Sequence, residues 1–331
     1  MPIHRKVFIN NIKFEPCWVA SGTLNFYGQG WPYHKLLIGL DFGGLTFVSK
    51  TTTLEERLGN MPLKENLMPK EWIPQSIHIN RKHKCALNAV SLSGPGAKVI
   101  LSSEKLHNKT EPFQISFMSV QEEEEDRIWE FQKFIKILLS EKSRFKAPIG
   151  LQLNITCPNT GHENPKLKET LRILDLCDPL IAVGMAIILK VSVEMSTDTI
   201  LEFGRHKNCH AITTSNTVPF GKMPEKIDWK KIYPNGSPLS KRKLHVPGAG
   251  GLSGTPLLNL VIEQVKELKL KGFTKHINAG GGILCKEDVR KLKKAGADSI
   301  SIGSVAFLKP LNIPGIRIEA WDQFGEENFY K

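Results

Sequence analysis

The chain of 331 residues is poor in cysteine, and no two of its six (Cys17, Cys85, Cys157, Cys177, Cys209, Cys285) are spaced as a CxxC pair. That excludes an iron–sulfur cluster or a structural zinc held by a close cysteine pair within this chain. Long apolar runs are missing too. The most hydrophobic stretch, Leu180 to Leu189, stops at Lys190, about half of the roughly 20 residues that a membrane helix needs. His4, Arg5 and Lys6 near the start have no apolar segment behind them, so no signal peptide is expected, and the protein reads as reduced, cytoplasmic and without membrane contact. Acids are the scarcer charge, with 33 Asp and Glu against 45 Lys and Arg, a net +12. This surplus favours an anionic partner: a nucleotide cofactor, an acidic substrate, nucleic acid or an acidic protein. With 40% hydrophobic and 24% charged residues, global disorder is excluded.

What is present is a regular series of short apolar runs ending in polar or glycine-rich residues. They are Cys17 to Ala20, Leu45 to Val48, Phe113 to Met118, Ile149 to Leu153, Ala186 to Leu189, Ala211 to Thr213, Lys275 to Asn278 and Ser299 to Ile302. Amphipathic intervals separate many of them: Arg127 to Leu139, Lys166 to Cys177, Thr197 to Gly204, Leu257 to Lys269 and Lys286 to Ala295. Strands alternating with helices call for a parallel sheet, and eight such units in one domain spanning 1–331 predict a (β/α)8 TIM barrel. Val7 to Phe14, with Asn10 and Asn11 at its centre, reads as a hairpin capping the barrel floor. Two long insertions break the alternation: Met61 to Ser103 after strand two, and Pro219 to Pro247 after strand six with a net charge of +5 from seven Lys and Arg against Glu225 and Asp228. Insertions of this length are expected to be functional loops or disordered. The acidic run Glu122 to Asp126 suits a helix N-terminus.

The chemistry concentrates where strands should end. Asn154, Ile155, Thr156, Cys157, Pro158, Asn159 sets two carboxamides and a thiol at the end of strand four, a set suited to holding a planar, amide-bearing substrate while the thiol handles a proton. A cysteine before proline on its own is most often a buried small hydrophobe; its place between two asparagines at a strand end argues otherwise. Three glycine clusters, Gly250 to Gly254, Gly280 to Gly282, and Gly303 with Ser304, can present bare N–H groups to an anion, and the last two strand ends of a barrel commonly form a phosphate site. Lys50 and Lys190 finish apolar strands, where a lysine calls for an anionic or electron-rich partner. Asn216 and Thr217 add an amide and a hydroxyl to the same face.

These residues resemble those of dihydroorotate dehydrogenases along nearly the whole chain. The matching pieces are Ala20 to Thr23, Lys50 to Leu54, Arg57 with Gly59 and Asn60, Asn88 to Gly96, Asn154 to Asn159, Lys190, Asn216 with Thr217, Gly250 to Gly254, Gly281 to Ile283 and Ile302 to Ser304. The resemblance implies an FMN-dependent barrel that oxidises dihydroorotate to orotate in pyrimidine biosynthesis, with Cys157 as catalytic base, as in the soluble class. It implies substrate binding by Lys50, Asn88, Asn154, Asn159, Asn216 and Thr217. It implies cofactor binding by Ala20, Gly22, Lys50, Thr51, Asn154, Lys190, Gly251, Gly281, Gly282, Gly303 and Ser304, and no metal. In this reading Cys157 removes the C5 proton while hydride leaves C6 for the flavin. The expected assembly is a homodimer whose electron acceptor is either fumarate or a separate iron–sulfur/FAD electron-transfer subunit, and not a membrane quinone.

The chain departs from the family's pattern at two places. Gly59-Asn60 is followed by Met61, Pro62, Leu63, Lys64 where the family has Pro-x-Pro-Arg, and Lys190 by Val191, Ser192, Val193 where it has Lys-x-x-Pro. The run Asn216-Thr217-Val218 and the insertion after it also resemble the pyrimidine-binding domain of dihydropyrimidine dehydrogenase, which acts on uracil or thymine. The net charge of +12 fits the tRNA-dihydrouridine synthases, which are FMN barrels with a cysteine before proline. No residue in the sequence separates orotate from uracil.

Overall fold

The computed structural model describes residues 5–156 and 167–325. Its centre is a seven-stranded parallel sheet. The chain forms β1 (Val7–Ile9), β2 (Ile12–Phe14), β3 (Cys17–Val19), β4 (Ile77–Asn80), β5 (Cys85–Asn88), β6 (Phe113–Phe117), β7 (Ile149–Asn154), β8 (Ala186–Val191), β9 (Ala211–Thr214), β10 (Val218–Pro219), β11 (Gly251–Gly254), β12 (His276–Gly280) and β13 (Ser299–Ile302). The parallel sheet runs β3-β13-β12-β9-β8-β7-β6 and curls on itself. Seven of the eight apolar runs are its strands. The eighth, Leu45 to Val48, forms no ladder; it lies between the sheet's two edges through isolated parallel bridges, Trp18 with Thr46 and Val48 with Gln114.

Alternation along these strands sorts the side chains. On β6, Phe113, Ile115 and Phe117 point outward, and Phe117 stacks on Phe134 at 3.8 Å between ring centroids. Phe134 belongs to the helix Glu124–Glu141, whose buried residues Ile128, Phe131, Phe134, Ile135 and Leu138 recur at helical spacing. Burying each such ring contributes about 2 kcal/mol. Glu124, Glu125 and Asp126 fill this helix's first turn, where carboxylates meet unsatisfied N–H groups. The helices Thr197–Arg205, Leu258–Leu270 and Lys286–Ala295 fall within two residues of their expected bounds, and Leu167–Asp175 covers most of the fourth.

The inward residues form layers. At the bottom, Trp18, Val48, Ala186, Ile188 and Ala211 pack with Val7, Ile9, Ile12 and Phe14 of the β1–β2 hairpin, so the hairpin plugs the floor as its sequence led one to expect. Asn10 and Asn11 make its turn with φ of 46° and 62°, left-handed values that asparagine tolerates well. Gly150 leaves room for it: a Cβ there would stand 3.2 Å from the Phe14 ring and 3.1 Å from Ile188, a tight fit. Polar residues sit beside these: Gln152 donates to Gln114 (3.3 Å), Asn278 donates to Ser299 (2.8 Å), and His276 shares a hydrogen bond with Ser299 (2.7 Å).

The two insertions are ordered and knit together. The first supplies β4 and β5, and the chain flanking the second supplies β10 and β11, of a second, antiparallel sheet, β10-β11-β5-β4, in which Gly251 to Gly254 pair with Asn88 to Cys85. Within Gly250 to Gly254, expected as an anion cradle before a helix, Gly251 to Gly254 form a paired strand whose last residue, Gly254, precedes the helical turn Thr255–Leu257. The glycines there allow close strand approach: a Cβ on Gly254 would sit 2.5 Å from the Lys84 carbonyl oxygen. Among the described residues no helix is long and apolar enough to cross a membrane.

Candidate active site

A cavity of about 210 Å³ opens at the C-terminal ends of β3, β7, β8, β9, β12 and β13. The parallel register sets Asn154 beside Lys190, and Lys190 beside Thr213, so residues nearly 60 apart in sequence reach one spot. Asn216 follows β9 and uses both N–H groups of its amide: Nδ2 donates to Asn154 Oδ1 at 2.9 Å and to the Thr156 carbonyl at 2.8 Å. Asn154 Nδ2 in turn donates to Thr51 Oγ1 at 3.2 Å, and Thr51 shares hydrogen bonds with the hydroxyls of Ser21 and Ser116, each at 2.9 Å. Asn154, Asn216 and Thr51 are all buried. Both carboxamides are thereby held in one orientation, and breaking such a buried pair leaves unsatisfied groups at about 1–3 kcal/mol each.

Lys50 is buried as well. Its ammonium donates to the Ser93 carbonyl and lies 5.1 Å from the centroid of the Phe26 ring, a contact that offsets part of its desolvation. Lys190, half-buried, lines the same cavity. Opposite these polar groups stands an apolar wall of Trp31, Met61, Ile77 and Phe307. Trp31 meets Phe307 edge-on at 5.2 Å, and Trp31, Met61 and Ile77 share a small core of their own. A planar ligand with one polar edge and an apolar body fits between the two sides.

The structure brings Ala20, Gly22, Lys50, Thr51, Asn88, Asn154, Lys190, Asn216, Thr217, Gly281, Gly282, Gly303 and Ser304 to this cavity. Gly251 is not among the lining residues; it is a strand residue paired with Asn88. Cys157 and Asn159 lie outside the described residues, and Thr156 just before them donates its hydroxyl to the Lys190 carbonyl at 3.2 Å. Sequence reasoning missed the apolar wall, whose members share no periodic pattern. It also missed Ser91 and Leu92, cavity residues with φ of 57° and 56° that nothing in their side chains announces.

The glycines at the ends of β12 and β13 fit a phosphate. Gly281 and Gly282 have φ of +132° and +82°, a Cβ on Gly282 would come 2.7 Å from the Gly254 carbonyl oxygen, and one on Gly303 would press on Ala20 at 3.3 Å. Side chains there would fill the space in which N–H groups can close around an anion. With the polar rim of Ala20, Thr51, Asn154 and Lys190 alongside, the donor set matches a flavin mononucleotide: one phosphate cradle and a polar edge for a flat ring.

The family profile described as dihydroorotate dehydrogenase matches residues 6–319. The catalytic subunit of dihydroorotate dehydrogenase B (NAD(+)) from Endomicrobium trichonymphae is 25% identical over 327 residues, covering 95% of this chain and 90% of that protein. The protein of the same name from Caldicellulosiruptor bescii is 27% identical over 324 residues, with 96% and 93% covered. Among solved structures, the dihydroorotate dehydrogenase of Eimeria tenella in complex with ferulenol superimposes with a TM-score of 0.67 at 15% identity, covering 96% of this chain and 83% of that one, which shows the shared fold. The chain therefore belongs to the dihydroorotate dehydrogenase family, oxidoreductases acting on CH–CH donors whose members are FMN-dependent flavoproteins.

Proposed function

We propose that this protein oxidises dihydroorotate to orotate as the catalytic subunit of a two-component enzyme, passing electrons to a separate electron-transfer subunit. The observation that carries the reading is the interlocked Asn154–Asn216 pair at the ends of β7 and β9, which fixes two carboxamides in the wall of a cavity with one apolar side. Asn216 and Thr217 would meet the pyrimidine's amide edge together with Asn88 and Asn159, and Lys50 and Lys190 would balance negative charge at the ring and cofactor edge. Gly281, Gly282, Gly303 and Ser304 would hold the FMN phosphate; Ala20, Gly22, Thr51 and Asn154 would hold its ring. When bound, FMN supplies the hydride acceptor.

The chain's own part is the proton. Cys157 follows Thr156, whose carbonyl is fixed by Asn216, and takes the C5 proton as a thiolate while C6 loses hydride. A free thiol near pKa 8.5 is only slightly ionised at neutral pH, and the two cavity lysines favour its thiolate. In this reading Leu45 to Val48 is the second strand of an eight-stranded (β/α)8 barrel and the whole chain is one domain.

The test is anaerobic bleaching of the flavin with dihydroorotate, dihydrouracil and dihydrothymine in turn. Rapid bleaching by dihydroorotate alone is expected. Bleaching by dihydrouracil or dihydrothymine in its place would assign the chain to the uracil and thymine chemistry, and no bleaching by any of the three would overturn the reading. Acid extraction should release FMN and not FAD.

A further inference from the structure

Eight of the chain's twelve net positive charges fall in two segments that the fold joins into one piece. Residues 77–88 hold Arg81, Lys82 and Lys84 with no acid, and residues 219–247 hold seven Lys and Arg against Glu225 and Asp228. The antiparallel sheet pairs the first segment with Gly251–Gly254, just past the second, Asn80 Nδ2 donates to the Ile232 carbonyl at 3.1 Å, and the rings of His78 and Tyr233 lie 6.0 Å apart. The β4–β5 turn therefore stands beside the short helix Trp229–Ile232. Arg81, Lys82, Lys84, Lys230 and Lys231 are exposed there. Among the described residues none of these five side chains joins an ion pair, whereas Lys226 nearby meets Glu263 at 3.6 Å. Five like charges on one ordered face repel one another, and no ion pair among the described residues compensates them.

The face adjoins the cavity. Ala86, a lining residue, is two residues from Lys84, about 7 Å of strand. We propose that this face docks an acidic electron-accepting protein, an inference that rests on the reading of the chain as one subunit of a two-component dehydrogenase. Charge complementarity would steer such a partner to the wall of the redox cavity. The rings of these two segments argue for a protein and against single-stranded nucleic acid: Trp229 and Tyr233 are buried, and Phe220 packs on Trp229 at 4.7 Å, so no exposed aromatic platform is offered for base stacking.

The test compares two forms of one probe with the full-length FMN-loaded protein: native cytochrome c, which is basic, and the same cytochrome succinylated on its lysines, which is acidic. Binding is followed by fluorescence anisotropy. Haem reduction is followed by stopped flow after photochemical reduction of the flavin, two haems being reduced for each electron pair. The acidic form should bind and be reduced at least about tenfold better at low salt, and the preference should collapse near about 0.5 M salt. The quadruple variant Arg81→Gln, Lys82→Gln, Lys230→Gln, Lys231→Gln should lose the preference, while Lys136→Gln with Lys294→Gln keeps it. Equal behaviour of the two cytochromes, or a preference that survives in the quadruple variant, would overturn the docking face. So would tight binding of a tRNA at about 0.15 M salt that the quadruple variant loses, combined with no cytochrome preference. Because EDTA, oxidised in the photoreduction, and not dihydroorotate supplies the electrons, failure of the proposed reaction is read separately, from the bleaching experiment.

Discussion

Acid should weaken this fold through one histidine. His276 opens β12, its ring lies nearly parallel to Trp18 (5° apart, 6.0 Å between centroids), and its Nε2 shares a 2.7 Å hydrogen bond with Ser299. Burial lowers its pKa from 6.5 to about 4, with Asp298 opposing this weakly and Lys269 adding to it. The folded protein therefore keeps His276 neutral while the unfolded chain takes up a proton below pH 6.5. Stability is present above that pH and is lost as pH falls towards 4. The full gap is worth about 3 kcal/mol at 1.36 kcal/mol per pH unit, and about 2 kcal/mol of it should be gone by about pH 4.8. His34 and His210 are shifted in the same direction by burial, so the whole protein loses more than this. A difference measurement isolates His276. His276→Gln keeps an amide within reach of Ser299 and does not titrate. Urea midpoints followed by tryptophan fluorescence, with FMN saturating at pH 7.5 and 4.8, should show the parent losing about 2 kcal/mol more than the variant. Parallel losses in the two proteins would refute the assignment.

Gly282→Ala forces a Cβ to 2.7 Å from the Gly254 carbonyl at a φ of +82°, and flavin fluorescence titration should show FMN affinity down at least about tenfold. Asn216→Ala leaves Asn154 Oδ1 and the Thr156 carbonyl without their donor; KM for dihydroorotate should rise and urea stability fall by about 1–3 kcal/mol. Cys157→Ala should keep FMN bound yet slow flavin reduction by about 10² to 10⁴ in stopped flow, while Cys157→Ser retains activity that rises with pH; an unchanged rate in the alanine variant would remove Cys157 as the base.

The sequence disclosed the parallel strands well because their apolar runs are short, β-branched and bounded by polar residues, as in Ala186 to Leu189. It disclosed the floor hairpin through Asn10 and Asn11, whose side chains suit the backbone they need. The strand at Gly250 to Gly254 was illegible because glycine serves a phosphate loop and a tightly apposed strand equally well; the pairing with Cys85 to Asn88 appears only in the fold. The insertions read as loops because β5, the inner strand of the β4–β5 hairpin, finds its other sheet partner more than 130 residues away in β11. The wall of Trp31, Met61, Ile77 and Phe307 was illegible for the same reason: its parts lie in four unrelated segments and only the finished fold assembles them. The carboxamides were legible as residues, while the bond between them was not.

The plugged floor closes one end of the chamber. Val7, Ile9, Ile12 and Phe14 fill the end opposite the strand termini, so among the described residues nothing passes through the barrel axis and ligands approach from the strand-terminal side. On the proposed reading, orotate and the next dihydroorotate would then use the same side of the barrel, so product would compete with substrate for access to the cavity.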